Sequence, residues 1–290
     1  MNSDLLAAAI LNGLMLASVY ALVALGLTVV FGLLDIVNFA QGQMLLLGAY
    51  LTFAVVSHQV NYWVALALAA LVVTLLGAAL ERVVFRPVER IPINGLLVSI
   101  GLIAVFRDLI RGVWGPDQKL VAPPIAFVAH LGPVSLPASR LVVVAGTVVV
   151  LAGLSIFLYR TRVGKALRAT AQNRTAAALM GIPVNRVNNL AFALGACLAS
   201  IAGSFLAMQF PVEPALADSP LLMGFIVLIL GGAGSPVGAV LGAVVIGLTE
   251  SIGTALGSPV VAQVIPFVLL AVILFIRPQG IVSVGSERWV

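Results

Sequence analysis

Residues 62–80 read YWVALALAALVVTLLGAAL, an uninterrupted apolar stretch of 19 residues without a charged side chain. An α-helix rises about 1.5 Å per residue, so roughly 20 apolar residues cross the hydrocarbon core of a bilayer. A membrane β-strand would instead alternate polar and apolar residues over about ten positions. The stretch therefore predicts a transmembrane α-helix.

The same apolar character extends outward over most of the chain. Residues 36–80 contain no Asp, Glu, Lys or Arg, and residues 187–276 contain no Lys or Arg. Hydrophobic residues make up 62% of the sequence, charged residues make up 9%, and the mean hydropathy is +1.19. A soluble domain cannot bury that much apolar surface. We therefore expect an all-α, polytopic integral membrane protein embedded in a lipid bilayer.

The apolar runs predict about eight or nine transmembrane or half-membrane helices in a single transmembrane domain over residues 1–290. The first run is too long for a signal-peptide core, which favours a first span over a cleaved leader. The run at residues 220–230 is too short to span unless it is extended or forms a half-helix. The expected helices are Leu5–Phe31, Ala40–Ser57, Tyr62–Leu80, Ile93–Ile110, Leu141–Tyr159, Asn188–Phe210, Pro220–Leu230, Val237–Thr254 and Val260–Ile276.

Positive charges indicate the orientation of these helices. Lys and Arg cluster in residues 82–90, in residues 160–187 and after residue 276, and the positive-inside rule places such clusters in the cytoplasm. The segment 108–139 and the loop with Glu213 and Asp218 are then extracytoplasmic, and the C-terminus is expected to be cytoplasmic. The side of the N-terminus stays open. The net charge of +5 is explained by these clusters, so no nucleic-acid partner is expected.

Two interruptions of the apolar runs, one in each half of the chain, suggest an internal repeat. They read GLLDIVNFAQGQ at 32–43 and GGAGSP at 231–236. Discontinuous helices at a repeat interface line translocation paths in transporters, because unwound backbone offers free N–H and C=O groups. Ordinary interhelical turns explain both segments equally well. The candidate path residues are Asn38, Gln41, Gly42, Gly231, Gly232, Gly234 and Ser235; Asp35 and Glu250 are open between a functional role and solvation at an interface.

Sequence motifs give no support for catalysis. No nucleophile elbow or dinucleotide-binding motif occurs, and the two His residues lack partners at metal-ligand spacing. Catalytic residues, a metal site and a cofactor are therefore not expected. No Walker A motif occurs either, so ATP-driven transport would need a separate ATP-binding subunit. The basic segment 160–187 is typical of an amphipathic helix ended by Gly181-Ile182-Pro183.

Five segments together resemble the LivH-type permease subunit of branched-chain amino-acid ABC importers. They are GLLDIVNFAQGQMLLLGAY at 32–50, ERVVFRPVER at 81–90, LLVSIG at 96–101, TRVGKALRATAQNRTAAALMG at 161–181 and GGAGSPVGAVLG at 231–242. Permeases of ABC importers dock a cytoplasmic loop with an E-A-A-x-x-x-G core into the ATPase subunit. Residues 175–181 have that spacing with Thr175 in place of the acid. The resemblance implies a coupling loop at 160–187 with Arg168, Thr175, Ala176, Ala177 and Gly181 as contact residues.

The resemblance also implies a function and an assembly. The chain would be the permease of an ATP-driven importer of Leu, Ile and Val in a bacterial inner membrane. Its partners would be ATP-binding subunits, a second homologous permease and a periplasmic amino-acid-binding protein. Related permeases serve urea, amides or other amino acids. An ion-coupled secondary transporter that uses Glu250 or Asp35 is the alternative from another class.

Overall fold

The structure is a computed structural model that describes residues 3–34, 37–88, 91–125, 127–131, 134–257 and 259–282. These residues form a bundle of α-helices, as the apolar runs predicted. The helices are α1 (Ser3–Leu34), α2 (Gln41–Ser57), α3 (Tyr62–Leu80), α4 (Pro92–Trp114), α5 (Ala138–Arg160), α6 (Arg162–Gln172), α7 (Arg174–Leu179), α8 (Val184–Ala207), α9 (Asp218–Gly231), α10 (Pro236–Ala255) and α11 (Pro259–Ile276). A π-helical turn (Glu81–Phe85) and a 3₁₀ turn (Arg86–Val88) extend α3.

Among the described helices, six are long and apolar enough to cross a membrane: α1, α3 with its extension, α4, α5, α8 and α10. Three further apolar helices are shorter, namely α2, α9 and residues 262–276 of α11. The expectation of eight or nine spanning or half-spanning helices is therefore confirmed. The run at 220–230 is part of α9, which has 14 residues and is too short to span alone.

The segment expected to be a plain extracytoplasmic loop contains a small β-hairpin. β1 (Val128–Leu131) pairs antiparallel with β2 (Val134–Pro137), with Val128 opposite Pro137. Helix α4 continues to Trp114 and α5 begins at Ala138, so the connection is also shorter than the sequence indicated. Outside the bilayer, two short extended segments can satisfy each other's backbone groups in this way.

The packing partners of α1–α4 match those of α8–α11. Helix α1 packs on α10, α9 and α8, while α8 packs on α3, α2 and α1. In the same way α2 contacts α3 and α4, and α9 contacts α10 and α11. Each half therefore contains a long helix, a break, a short helix and a second long helix.

This correspondence supports the internal repeat but corrects the pairing of the two interruptions. The break between α1 and α2 corresponds to the loop 208–217 between α8 and α9, not to 231–236. The turn 232–235 corresponds instead to the turn 58–61 between α2 and α3. The sequence pairing was wrong because three glycines and a proline mark the 231–236 turn strongly, whereas loop 208–217 contains two prolines but no glycine.

The short helices α2 and α9 start next to each other and then diverge. Gly42 in the first turn of α2 faces Leu221 in the first turn of α9. Helix α2 runs parallel to α8, with the Thr52 and Ser204 hydroxyls 2.8 Å apart. Helix α9 packs along α10 and ends at Gly231, which faces Gly238 in the first turn of α10. The two halves are therefore inverted relative to each other.

The structure places the two termini of the described chain at opposite ends of the bundle. Gly32, near the end of α1, lies against Gly234, and Gly280 lies against Gly232. The start of α1 is therefore on the side away from residues 277–282. This arrangement resolves the relative side of the N-terminus, which the sequence left open.

Close helix contacts in the bundle depend on small residues. A Cβ on Gly203 of α8 would overlap the Leu45 carbonyl oxygen of α2. A Cβ on Gly26 of α1 would lie 3.0 Å from the Gly195 carbonyl oxygen of α8. Inside a bilayer, helices associate through such close backbone approach rather than through the hydrophobic effect.

Candidate translocation route and coupling surface

The break between α1 and α2 is held in the bundle by two buried amide side chains. The Asn38 side chain, which is 2% exposed, accepts a hydrogen bond at 3.0 Å from the backbone N–H of Ala40. The Gln41 side chain, 1% exposed, donates through Nε2 at 2.7 Å to the Gly195 carbonyl of α8. These bonds replace helical backbone bonds that the break removes. Asp35 lies outside the described residues.

The outward side of the same break carries an aromatic residue. Phe39 is half-buried, and its ring lies 4.7 Å from the ring of Phe225 on α9. Gly42 packs against Leu221. The break therefore directs its amides inward and its phenyl ring toward the α9 surface.

The second group of candidate path residues, Gly231 to Ser235, forms the turn that connects α9 to α10. Gly232 and Gly234 have φ angles of 103° and 91°, which favour glycine. The Ser235 side chain accepts a hydrogen bond at 3.0 Å from Gly238 N–H and so caps α10. Gly32, rather than Asn38 or Gln41, is the residue of the first interruption that faces this turn. Solute passage beside either group stays a prediction.

The basic segment at 160–187 forms the two helices α6 and α7, each with a side-chain cap. The Thr161 hydroxyl accepts from Gly164 N–H, and the Asn173 amide oxygen accepts from Ala176 N–H, both at 2.9 Å. Helix α7 ends at Gly181, which has a φ of 80°. The Ile182 N–H bonds to the Ala177 carbonyl at 3.1 Å, as in a Schellman motif. The predicted stop is confirmed, but the structure divides the predicted helix into α6 and α7 at Asn173.

The residues proposed for coupling differ in their exposure. Ala177 is only 4% exposed, whereas Thr175, Ala176 and Gly181 are exposed. The exposed Arg168 guanidinium stacks over the Tyr159 ring at 4.6 Å. Ala177 therefore fixes the loop within the protein, and the other residues are available at its surface. Their contact with an ATPase stays a prediction.

Sequence reasoning missed the most exposed apolar residues of this loop. Leu179 and Met180, at the end of α7, are each 83% exposed. They follow three alanines in the connection between α6 and α8 and are the first large apolar side chains after Arg174. Their exposure makes the two residues candidates for a protein contact.

A buried ionic cluster next to this loop was also missed. Glu81, 1% exposed, pairs with Arg86 at 3.0 Å and accepts from the Asn189 amide at 2.6 Å. The same amide donates to the Ala78 carbonyl at 2.6 Å, and Arg86 donates to the Asn185 carbonyl at 3.1 Å. The cluster thus joins the π-helical end of α3 to the first turns of α8, immediately after α6 and α7.

Glu250 has a specific partner inside the bundle. The Tyr20 hydroxyl on α1 donates to Glu250 Oε2 on α10 at 2.8 Å. A hydrogen-bonded carboxylate of this kind can hold two helices together without carrying an ion. Within the described residues, no group of three or more His, Cys, Asp or Glu side chains could hold a metal ion.

The sequence of this chain is similar to those of known permease proteins. Residues 9–274 match the family model of the branched-chain amino acid transport system permease component. The chain is 30% identical to the high-affinity branched-chain amino acid transport system permease protein BraD of Pseudomonas aeruginosa, over 94% of each chain. It is 31% identical to the corresponding permease protein LivH of Escherichia coli, again over 94% of each chain.

A more distant relative is the permease protein LivM of Salmonella typhimurium, which is 28% identical over 79% of this chain and 60% of that protein. The family model covers the bundle from α1 to most of α11, and the BraD and LivH proteins match this chain over 94% of their own length. The chain therefore belongs to the family of permease components of branched-chain amino acid transport systems.

Proposed function

We propose that this chain is the membrane-spanning subunit of an ATP-driven importer of the branched-chain amino acids Leu, Ile and Val. The observation that carries the proposal is the coupling surface: a capped two-helix loop that presents Leu179 and Met180 to solvent in a chain of this family. The chain contains no Walker A motif, so ATP hydrolysis belongs to a separate subunit. The permease itself performs no covalent chemistry.

The proposed location is a bacterial inner membrane. The positive-inside rule assigns α6, α7 and Arg277 to the cytoplasm. The C-terminus is then cytoplasmic, and the start of α1 is periplasmic because it lies at the opposite end of the bundle. This orientation places the coupling surface where ATP is available.

The proposed complex contains two ATP-binding subunits, a second permease and a periplasmic amino-acid-binding protein. The similarity to LivM supports the second permease, because LivM and LivH are named as permease proteins of high-affinity branched-chain amino acid systems in Escherichia coli. Selection of the amino acid rests largely with the binding protein. Permeases for urea, amides or other amino acids remain the alternatives within this class.

We assign the conformational change that opens the route to the break between α1 and α2. Asn38 and Gln41 are buried in the described state, and only a few hydrogen bonds hold the segment. A shift of α2 against α8 would open a path beside them. Gly231, Gly232, Gly234 and Ser235 would form the cytoplasmic turn at the end of that path.

The first prediction tests the energy source. Proteoliposomes that contain the complete complex, supplied with binding protein, should concentrate leucine when ATP is enclosed with the ATPase subunits and should fail to do so with an ion gradient alone. Uptake driven by a gradient in the isolated chain would support an ion-coupled transporter instead. Glu250→Gln would then be the variant that abolishes coupling.

The second prediction concerns the break. In a Cys197→Ser background, Asn38→Cys and Gln41→Cys should be protected from small aqueous thiol reagents without nucleotide and should react during ATP turnover. Protection in every nucleotide state would show that the segment is a fixed packing element. Thr52→Cys, whose native hydroxyl is buried between α2 and α8, is the control that should stay protected throughout.

A further inference from the structure

An ion pair joins the last two turns of α4 to the first turn of α9. Arg107 of α4 donates to the Asp218 carboxylate in the first turn of α9. Asp218 is one turn before Leu221, which faces Gly42 at the start of α2. Arg107 is seven residues before Trp114, whose ring lies 5.3 Å from that of Tyr50. The pair is therefore level with the break and about 10 Å below Trp114.

This ion pair is open to its surroundings. The Arg107 and Asp218 side chains are 28% and 53% exposed. Charged groups that face hydrocarbon are costly, and in membrane proteins they face an aqueous cavity or a protein partner. The face of α9 that carries Asp218 is therefore covered by water, solute or another chain rather than by lipid.

An apolar surface continues from the ion pair along α9. Asp218, Leu222, Phe225 and Ile229 follow a spacing of three and four residues and so share one face of the helix. Leu222 and Ile229 are 49% and 41% exposed, and Phe225 meets Phe39 of the break. This face of α9 therefore has a charged residue at its start and an apolar strip along the rest of its length.

Three buried polar atoms on α2 and α4 lack hydrogen-bond partners among the described residues. The Gln43 side-chain oxygen and the Tyr50 hydroxyl have no hydrogen bond among the described residues, and neither does Arg107 Nε. Gln43 and Tyr50 are seven residues apart on the side of α2 that meets α4. Unsatisfied buried groups of this kind are expected where a bound molecule or water completes the hydrogen bonds.

We propose that Arg107, Asp218 and the adjoining face of α9 bind the transported solute as an amino acid zwitterion. Arg107 pairs with the α-carboxylate and Asp218 with the α-ammonium group, while the apolar side chain lies along Leu222 and the Phe39–Phe225 pair. The inference rests on the proposed function and adds residues to it. The proposed site also differs from the route predicted from the sequence. Asn38 and Gln41 of that route point into the bundle, whereas the proposed site lies on the α9 side of the same break.

Charge neutralisation tests the binding role. In the complete reconstituted complex, Arg107→Gln and Asp218→Asn should each lower ATP-dependent leucine uptake about tenfold or more, since a charged hydrogen bond to the solute is lost. The subunit composition of the purified complex should not change. The matched controls are Asp108→Asn and Arg111→Gln, which remove a more exposed ion pair of 3.9 Å on the same helix and should alter uptake by less than about twofold.

A charge exchange separates solute recognition from a structural ion pair. The double variant Arg107→Asp with Asp218→Arg retains opposite charges but reverses them relative to the apolar strip, so uptake should stay low. Restored uptake would overturn the proposal and show a structural bridge. Loss of the second permease on purification of the single variants would also overturn it and assign the face to a subunit interface.

A labelling experiment gives a readout that does not depend on transport. In the Cys197→Ser background, Leu222→Cys should react with a hydrophilic maleimide, and leucine should slow that reaction at least about threefold by occupying the site. Val149→Cys on α5, 70% exposed, should stay unlabelled because it faces lipid. Protection without ATP-driven uptake would contradict the proposed function alone; ATP-driven uptake with no protection and normal single variants would contradict this inference alone.

Discussion

Glu81→Ala is expected to lower the free energy of unfolding of the permease by about 3 kcal/mol, because it removes one partner of a buried ion pair. The carboxylate is 1% exposed and binds both Arg86 and Asn189. Its loss leaves the Arg86 guanidinium without its acceptor in a half-buried position. Arg86 is 32% exposed, so water recovers part of the cost. Unfolding of the purified chain in detergent, followed by circular dichroism, measures the change.

The control for this experiment is Arg82→Gln on the same π-helical turn. Arg82 is exposed, so its replacement should change the unfolding free energy by no more than about 0.5 kcal/mol. Glu81→Gln should lie between the two, because an amide oxygen can still accept from Asn189. If Glu81→Ala unfolds like the wild type, the cluster does not stabilise the junction of α3 and α8.

Leu179→Asp and Met180→Asp are expected to abolish most ATP-dependent uptake while leaving the membrane bundle intact. Each side chain is 83% exposed, so an aspartate there costs the isolated chain little. In a protein interface, burial of an unpaired charge costs at least a few kcal/mol, which corresponds to a loss of roughly a hundredfold in affinity. Copurification of the ATPase subunits and substrate-stimulated ATP hydrolysis measure the effect.

A matched change elsewhere in the loop separates this effect from a general effect of added charge. Val163 on α6 is 44% exposed, and Val163→Asp should leave the ATPase subunits bound. Ala177→Trp and Gly181→Leu are less informative variants, because Ala177 is buried and Gly181 has a positive φ. Both would alter the shape of α7 itself. Normal assembly of Leu179→Asp and Met180→Asp would move the coupling contact away from the end of α7.

Much of the coupling loop could be predicted from local sequence. Thr161 and Asn173 cap helices that begin directly after them, and Gly181 ends α7 through bonds within six residues. These interactions connect residues that are close in the sequence, so they can be predicted without knowledge of the fold. The exposure of Leu179 and the burial of Ala177 could not be predicted in this way, because both depend on how α7 packs on α6 and α8.

The candidate route was less predictable, and the reason is physical. Asn38 and Gln41 were chosen because polar residues interrupt an apolar run. Whether such a residue faces a path or a neighbouring helix depends on its partner, and Gln41 bonds to a carbonyl 154 residues away. Arg107 and Asp218 are 111 residues apart in the sequence. Each lies close to a predicted loop, where a charged side chain is expected to meet water. Only their meeting beside the α9 surface indicates a site.

The sequence by itself determined that the chain is helical, where most helices begin and end, and which loops carry positive charge. It could do so because a bilayer forces each spanning segment to satisfy its own backbone hydrogen bonds, so length and hydropathy are sufficient. The tertiary structure alone decided the pairing of the two halves, the inward direction of the break amides and the partnership of Arg107 with Asp218. Helices such as α1, α3 and α9 are apolar on every side, and both lipid and a neighbouring helix accept an apolar surface. Their sequences therefore do not record which face meets a neighbour, and only packing between distant segments selects it.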